Sequence, residues 1–184
     1  MASNNEKSDN VLWKNIFRSK ALKEGTAEHL LSLVPAFAQL SVRELRQISS
    51  IVHRREYESG EFIFYQGDPG LGMYVIEEGK IAIVVVDEKQ EQKELTLLGE
   101  GDFFGEISLL DEGPRSACAI SRTPCKLIGF FRPDLFEVIR KYPELGLKIV
   151  LKLAEMVGER LRATDHEIMR LRSELESARK HPGV

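Results

Sequence analysis

Phe104-Gly105-Glu106-Ile107-Ser108-Leu109-Leu110, followed shortly by Pro114-Arg115-Ser116-Ala117, is the stretch on which the reading of this chain turns. It sets a glycine, a carboxylate, a run of backbone N–H groups and an arginine in one short segment. Gly105 has no Cβ, so the backbone there can come close to a ligand. The residues after it read as one helical turn. Its first N–H groups have no internal partner and carry the positive end of the dipole, which suits an anion. Arg115 adds a planar, permanently charged fork that matches phosphate oxygens. Glu106 can only accept, so it suits a sugar hydroxyl and not a phosphate. The combination is equipment for a phosphorylated sugar.

Each of these residues also has a plainer role open to it. Arg115 could bridge to Glu106 as a structural ion pair. Against that, a guanidinium set among a proline and small residues is costly to bury without a counter-charge, and donors for the same anion lie close by. Glu106 could instead cap the turn through its backbone N–H groups.

Outward from this segment, the pattern on both sides is strand-like. The runs 61–65, 73–76, 80–86 and 95–98 are rich in β-branched and aromatic residues, and Gly60, Gly67-Asp68-Pro69-Gly70, Glu78-Gly79 and Gly99-Glu100-Gly101 separate them. Two more runs follow, 117–122 and 126–131. Short strands at this spacing predict a sandwich or barrel. Pro133 opens a short helix with Leu135, Phe136 and Ile139 expected to face inward.

Helices precede the strands. Residues 1–10 are polar and read as disordered. A helix is predicted over 11–24, with Leu12, Trp13, Ile16 and Phe17 on one face and Gly25 at its end. Thr26 is an N-cap for a second helix that runs to about Leu33, before Pro35. Ser41-Val42-Arg43-Glu44 is a capping box, launching a third with Leu45, Ile48, Ile51 and Val52 on its buried side. The helical region therefore spans 11–52.

After Pro143 no proline occurs until Pro182, which predicts one long helix over 143–180. A seven-residue seam runs through Leu147, Val150, Ala154, Val157, Leu161, Thr164, Ile168, Leu171, Leu175 and Ala178. With Leu161 at a, the g-to-e pairs of a parallel dimer are Arg160 with Asp165, Glu167 with Arg172 and Glu174 with Arg179, all opposite in sign. Ile149, Leu153 and Met156 form a second stripe, so the first half can lie on its own strands. Beyond Leu161 only the seam remains. A parallel coiled-coil homodimer through 147–178 is the expectation.

Composition narrows the function classes. A chain of 184 residues, 42% hydrophobic, is one domain with appendages. A net charge of −3 argues against a protein whose main partner is nucleic acid. Cys118 and Cys125 fit neither a disulfide framework nor a zinc site, so buried thiols are expected. His29, His53, His166 and His181 share no metal-ligand spacing, and no nucleophilic constellation appears. An enzyme is not expected. No secretion signal and no run of membrane-spanning length is present, so the expectation is a cytoplasmic protein without a membrane partner.

The quoted residues resemble the phosphate-binding cassette of the cyclic-nucleotide-binding domain family: Phe-Gly-Glu, an apolar and a small residue, a leucine-rich turn, then Pro-Arg and small residues. The resemblance extends from about Leu33 to about Asp165. It implies an α+β, mainly β fold. Its centre is an antiparallel β-roll (a jelly-roll-like double-stranded β-helix) over 53–142, carrying the cassette at 104–117 and a short helix after it. N-terminal helices and the long coiled-coil helix flank the roll. For the site it implies phosphate on Arg115 and on the backbone N–H groups of Gly105, Ile107 and Ser108, with the ribose on Glu106. Phe104, Ser116 and Ala117 complete the cassette, and Ile83 and Leu98 wall the ribose and base.

In such domains an alanine-like residue at Ser116 goes with cAMP and threonine with cGMP, so serine leaves the base open. Thr164 is either a base contact from the C-terminal helix or a register device in the seam, and Asp165 beside it could accept from an adenine amino group. Leu109 and Leu110 are expected to pack on Phe136. The implied function is a receptor for a cyclic nucleotide, cAMP preferred and cGMP admitted, with no catalytic cofactor. It would signal through C-terminal helix movement in a dimer to an unidentified effector protein. No helix-turn-helix follows the long helix, so direct DNA binding is not expected. The alternative is a roll that binds no ligand and serves only as a scaffold for dimerisation or protein contact.

Overall fold

The computed structural model describes residues 22–87 and 91–180. The predicted 1–10 disorder and all but the last residues of the predicted 11–24 helix, Trp13 and Phe17 included, lie outside the described residues. Residues 24 and 25 form a turn before Thr26.

Helix α1 (Ala27–Leu33) starts where Thr26 Oγ1 accepts from His29 N at 3.3 Å. A 3₁₀ turn (Pro35–Phe37) follows. Helix α2 (Val42–Ser49) carries the predicted capping box, with Ser41 Oγ accepting from Glu44 N and Glu44 Oε2 accepting from Ser41 N at 2.7 Å. It stops short of Ile51 and Val52, which pack on the core from the loop.

Eight strands form two four-stranded antiparallel sheets. Strands β1 (His53–Tyr57), β3 (Gly72–Glu78), β6 (Phe103–Phe104) and β8 (Cys125–Phe131) make one sheet, in the order β1-β8-β3-β6. Strands β2 (Phe62–Phe64), β4 (Ile81–Val86), β5 (Gln92–Leu98) and β7 (Cys118–Ser121) make the other, in the order β2-β7-β4-β5. The mainly β roll with flanking helices expected from the sequence is the fold found. Cys118 and Cys125 are buried free thiols, as predicted.

Two strands escaped the sequence reading. Strand β1, His-Arg-Arg-Glu-Tyr, is mostly exposed and has no apolar alternation. Backbone pairing to β8 forms it, in the register His53↔Gly129 to Tyr57↔Cys125, and charges suit a sheet edge. Strand β6 is two residues long and merges into the segment that was read as cassette. In the β4–β5 hairpin, Ile83 pairs with Thr96 but Val84 with Glu94, so Leu95 is a bulge residue.

Helix α3 (Arg132–Lys141) has Pro133 in its first turn, and Asp134 Oδ2 accepts from Phe131 N at 2.8 Å. Its inward residues are Leu135 and Val138. Phe136, expected to face inward against Leu109 and Leu110, is 53% exposed and stacks beneath the Arg132 guanidinium instead. Leu109 alone of that pair is buried, in the cluster that holds Leu135. The correction has a simple cause: with Leu135 and Val138 inward, the 100° step of a helix turns Phe136 away.

Helix α4 (Pro143–Lys180) is the long helix predicted. Ile149 and Leu153 are fully buried against the helices and the roll, and Met156 packs beside them, as the second stripe required. The seam stays outward: Leu161 is 60% exposed and Leu175 62%. The expected inter-helix charge pairs meet competition within the chain. Arg170 holds Glu167 and Glu174, at 2.6 and 2.7 Å, and Arg160 is turned to the roll.

Candidate functional site

The cassette hangs between the sheets. Phe104 pairs with Tyr74 at the end of β6, and the chain then reverses at Gly105, where φ is +81°. A side chain is disfavoured twice at this position. The conformation favours glycine, and a Cβ would lie 2.5 Å from Arg115 Nη1 and 3.0 Å from Gly72 O. Gly105→Ala should therefore push the guanidinium out of place and lower stability by about 1–3 kcal/mol. A thermal melt superposable on wild type would show that the cassette tolerates the change.

Residues Glu106–Leu109 form the single helical turn predicted, of 3₁₀ type. Its tightness changes one expectation. Ser108 N donates to Gly105 O at 3.2 Å, so that N–H closes the turn and does not point at a ligand. The Ser108 hydroxyl is more than a filler, since its oxygen accepts from Arg115 Nη1 at 2.9 Å.

Arg115 is 7% exposed. Its main chain is sewn to the β2–β3 loop, with Arg115 N on Asp68 O at 2.8 Å and Gly67 N on Arg115 O at 2.9 Å. Its Nη2 donates to Gly72 O at 2.7 Å and Nη1 also reaches Gly105 O at 3.3 Å. The guanidinium lies over the Phe64 ring, 4.0 Å from the centroid. All these partners are neutral. Nε is buried with no partner at all among the described residues. Burial pushes the guanidinium below its ordinary value, against the pull of Tyr74, Glu106 and Asp68. A buried cation without a counter-ion, with one donor unused, is a site that gains from an anion.

Glu106 is also buried, and it does not pair with Arg115. Its Oε1 accepts from Arg160 Nη1, a residue of α4. The structural bridge weighed for Arg115 is thus absent, and a different arginine holds the carboxylate. Arg160 escaped the sequence reading because its helix position assigned it to a dimer pair. Only the packing of α4 across the cassette turns it inward.

These groups line a cavity of about 410 Å³. Phe104, Gly105, Glu106, Ile107, Ser108, Arg115, Ser116 and Ala117 all reach its wall, as do Ile83 and Leu98. The bulged Leu95 and its neighbour Thr96 also line it. Thr164 is not brought there. It is exposed, and its hydroxyl donates to Arg160 O at 3.0 Å, one turn down its own helix. Asp111, Phe64 and Arg160 are lining residues that the sequence reading missed. No cluster of metal-ligating side chains occurs among the described residues, and no described helix is long and apolar enough to cross a membrane.

One cavity thus combines charged cassette residues with apolar ones. Comparison with known proteins gives the arrangement its kin: residues 54–142 match the model of the cyclic nucleotide-binding domain. Residues 54–142 form a domain of the cyclic nucleotide-binding family. The Cyclic AMP receptor protein of Thermus thermophilus is 38% identical over 134 residues, covering 73% of this chain and 60% of that protein. The cAMP-dependent protein kinase type II regulatory subunit of Drosophila melanogaster is 32% identical over 127 residues, 69% of this chain and 32% of the relative. Among solved structures, the Thermus thermophilus Catabolite Activator Protein superposes with a TM-score of 0.68 at 38% identity, over 75% of this chain and 63% of that one. The chain therefore spans less than two thirds of the length of these relatives. The match is to a binding family, and no catalytic family is indicated.

Proposed function

We propose that this chain is a cyclic-nucleotide receptor module, with cAMP preferred and cGMP admitted, that works as a parallel dimer through α4. The observation that carries the reading is Arg115: a buried guanidinium with only neutral partners and a free Nε, facing a cavity behind a left-handed glycine. The cyclic phosphate would take the Arg115 end, with Ile107 N and the Gly105 backbone beside it. The ribose would take Glu106, and the base the apolar side at Ile83 and Leu98.

Signalling follows from the Arg160–Glu106 contact, which ties α4 to the cassette. A ribose hydroxyl on Glu106 competes with Arg160 for the same carboxylate. Occupancy therefore changes what holds α4, and a ligand that interacts differently with two helix positions shifts their populations. The exposed seam from Leu161 to Leu175 supplies the dimer surface, since apolar residues at this spacing are costly to leave in water. The net charge of −3 favours a protein effector over direct contact with DNA phosphates, and an aqueous, cytoplasmic setting accords with a diffusible ligand.

The scaffold reading keeps one observation in its favour: Glu106 already has a partner in Arg160. Thermal denaturation with cAMP and with cGMP separates the two. A binder gains stability as RT ln(1 + [L]/Kd), about 2.7 kcal/mol at a hundredfold excess over Kd. No shift with either nucleotide at millimolar concentration would leave the scaffold. Sedimentation that finds only monomer would remove the dimer.

A further inference from the structure

We propose that Phe64 is a positioning residue for Arg115: its ring face supports the buried guanidinium and leaves the donor edge open to an anion. This rests on the receptor reading and deepens it.

Phe64 ends strand β2, and the strand is irregular there. Phe62 pairs with Ile120 but Phe64 with Ala119, so Ile63 is an extra residue in the ladder. Regular alternation would put Phe62 and Phe64 on one face. The bulge separates them: Phe62 packs in the cluster of Cys118 and Ile120, and Phe64 in that of Tyr74 and Phe104. Three rings then hold one another. Phe104, which opens the cassette, stacks on Tyr74 with centroids 5.5 Å apart. Phe64 lies 5.9 Å from Phe104 and 6.4 Å from Tyr74. On this support the Arg115 Cζ sits 4.0 Å from the Phe64 centroid. Phe64 and Arg115 both line the cavity.

A guanidinium has a flat face and an edge. The face is attracted to the negative face of an aromatic ring, and the edge carries the N–H donors. The Arg115 Nη groups are bonded to Gly105 O, Ser108 Oγ and Gly72 O, so the contact with Phe64 through Cζ uses no donor. Nε stays without a partner among the described residues. A carboxylate in the place of the ring would take the edge and close it to a ligand. The ring instead offsets part of the desolvation that burial imposes on Arg115. Without it the guanidinium has Glu106 and Asp68 to turn to, whose carboxylates already pull on it, and an anion would first have to break that pair.

Phe64→Leu keeps an apolar side chain and removes the ring face. Calorimetry at fixed salt should show cAMP binding weakened about tenfold. Leucine also changes the packing, so the deciding variants carry phenylalanines with one, two and three ring fluorines at position 64. Fluorine withdraws charge from the ring face and barely alters its size. Affinity for cAMP should therefore fall stepwise, by about a factor of two per fluorine. A ring that served only to fill space would give the same affinity throughout. If affinity is flat across the fluorinated series while wild type binds cAMP, the role of Phe64 is wrong and the receptor stands. A wild-type protein that binds neither cAMP nor cGMP overturns both.

Discussion

Arg115→Ala weakens binding of cAMP by two orders of magnitude or more, as read by calorimetry at fixed salt. The expected size follows from charge-assisted hydrogen bonds worth ~1.5–3 kcal/mol each, at a site where a phosphate can engage more than one donor. The site makes the loss steep, because Arg115 is a buried lining cation with a donor unused. Arg115→Lys sharpens the test. It keeps the charge but loses the fork, and a point charge cannot reach Gly72 O, Ser108 Oγ and an anion together. It should fall between wild type and alanine. An Arg115→Ala protein that melts cooperatively and binds with unchanged affinity would sink the phosphate role.

Phe37→Ala lowers stability by about 3–5 kcal/mol. Phe37 is fully buried and sets its ring edge-on to Phe130 of β8, with centroids 5.6 Å apart. It sits in the Pro35–Phe37 turn and shares the cluster with Ile149 and Leu153 of α4. Truncation leaves a cavity where the N-terminal helices, the roll and the long helix meet. Chemical denaturation should record the loss as an earlier midpoint with an unchanged slope. A loss under about 1 kcal/mol would mean that the cluster collapses around the gap and that this junction is not tightly packed.

Most of the architecture was legible along the chain. Thr26 and the Ser41–Glu44 box marked their helix starts because capping is a local contact. The β-branched runs marked their strands because burial on one or both faces imposes an apolar pattern. The cassette was legible because a glycine turn, an acid and an arginine that stay close in sequence can line one cavity together. Strand β1 was not, because its charged side chains stand in water and only the ladder to β8 makes it a strand. Phe136 was misplaced because its neighbours, and not its own hydrophobicity, choose the helix face that turns inward.

At the site the division is sharper. The sequence placed Glu106 and Arg115 correctly in one pocket but could not say which cation Glu106 meets. Arg160 lies on a helix whose seam suggested an inter-helix partner, and the packing of Ile149 and Leu153 decides that it reaches the roll.

Taken by itself, the order of residues determined the helix caps, most of the strands and the single helical turn after Gly105, since each is written in contacts between near neighbours or in a short repeat. Only the tertiary structure decided that Arg160 closes on Glu106 and that Thr164 stays outside the cavity. Arg160 and Glu106 lie far apart in the chain, and long-range packing, which no local pattern encodes, brings them within bonding distance.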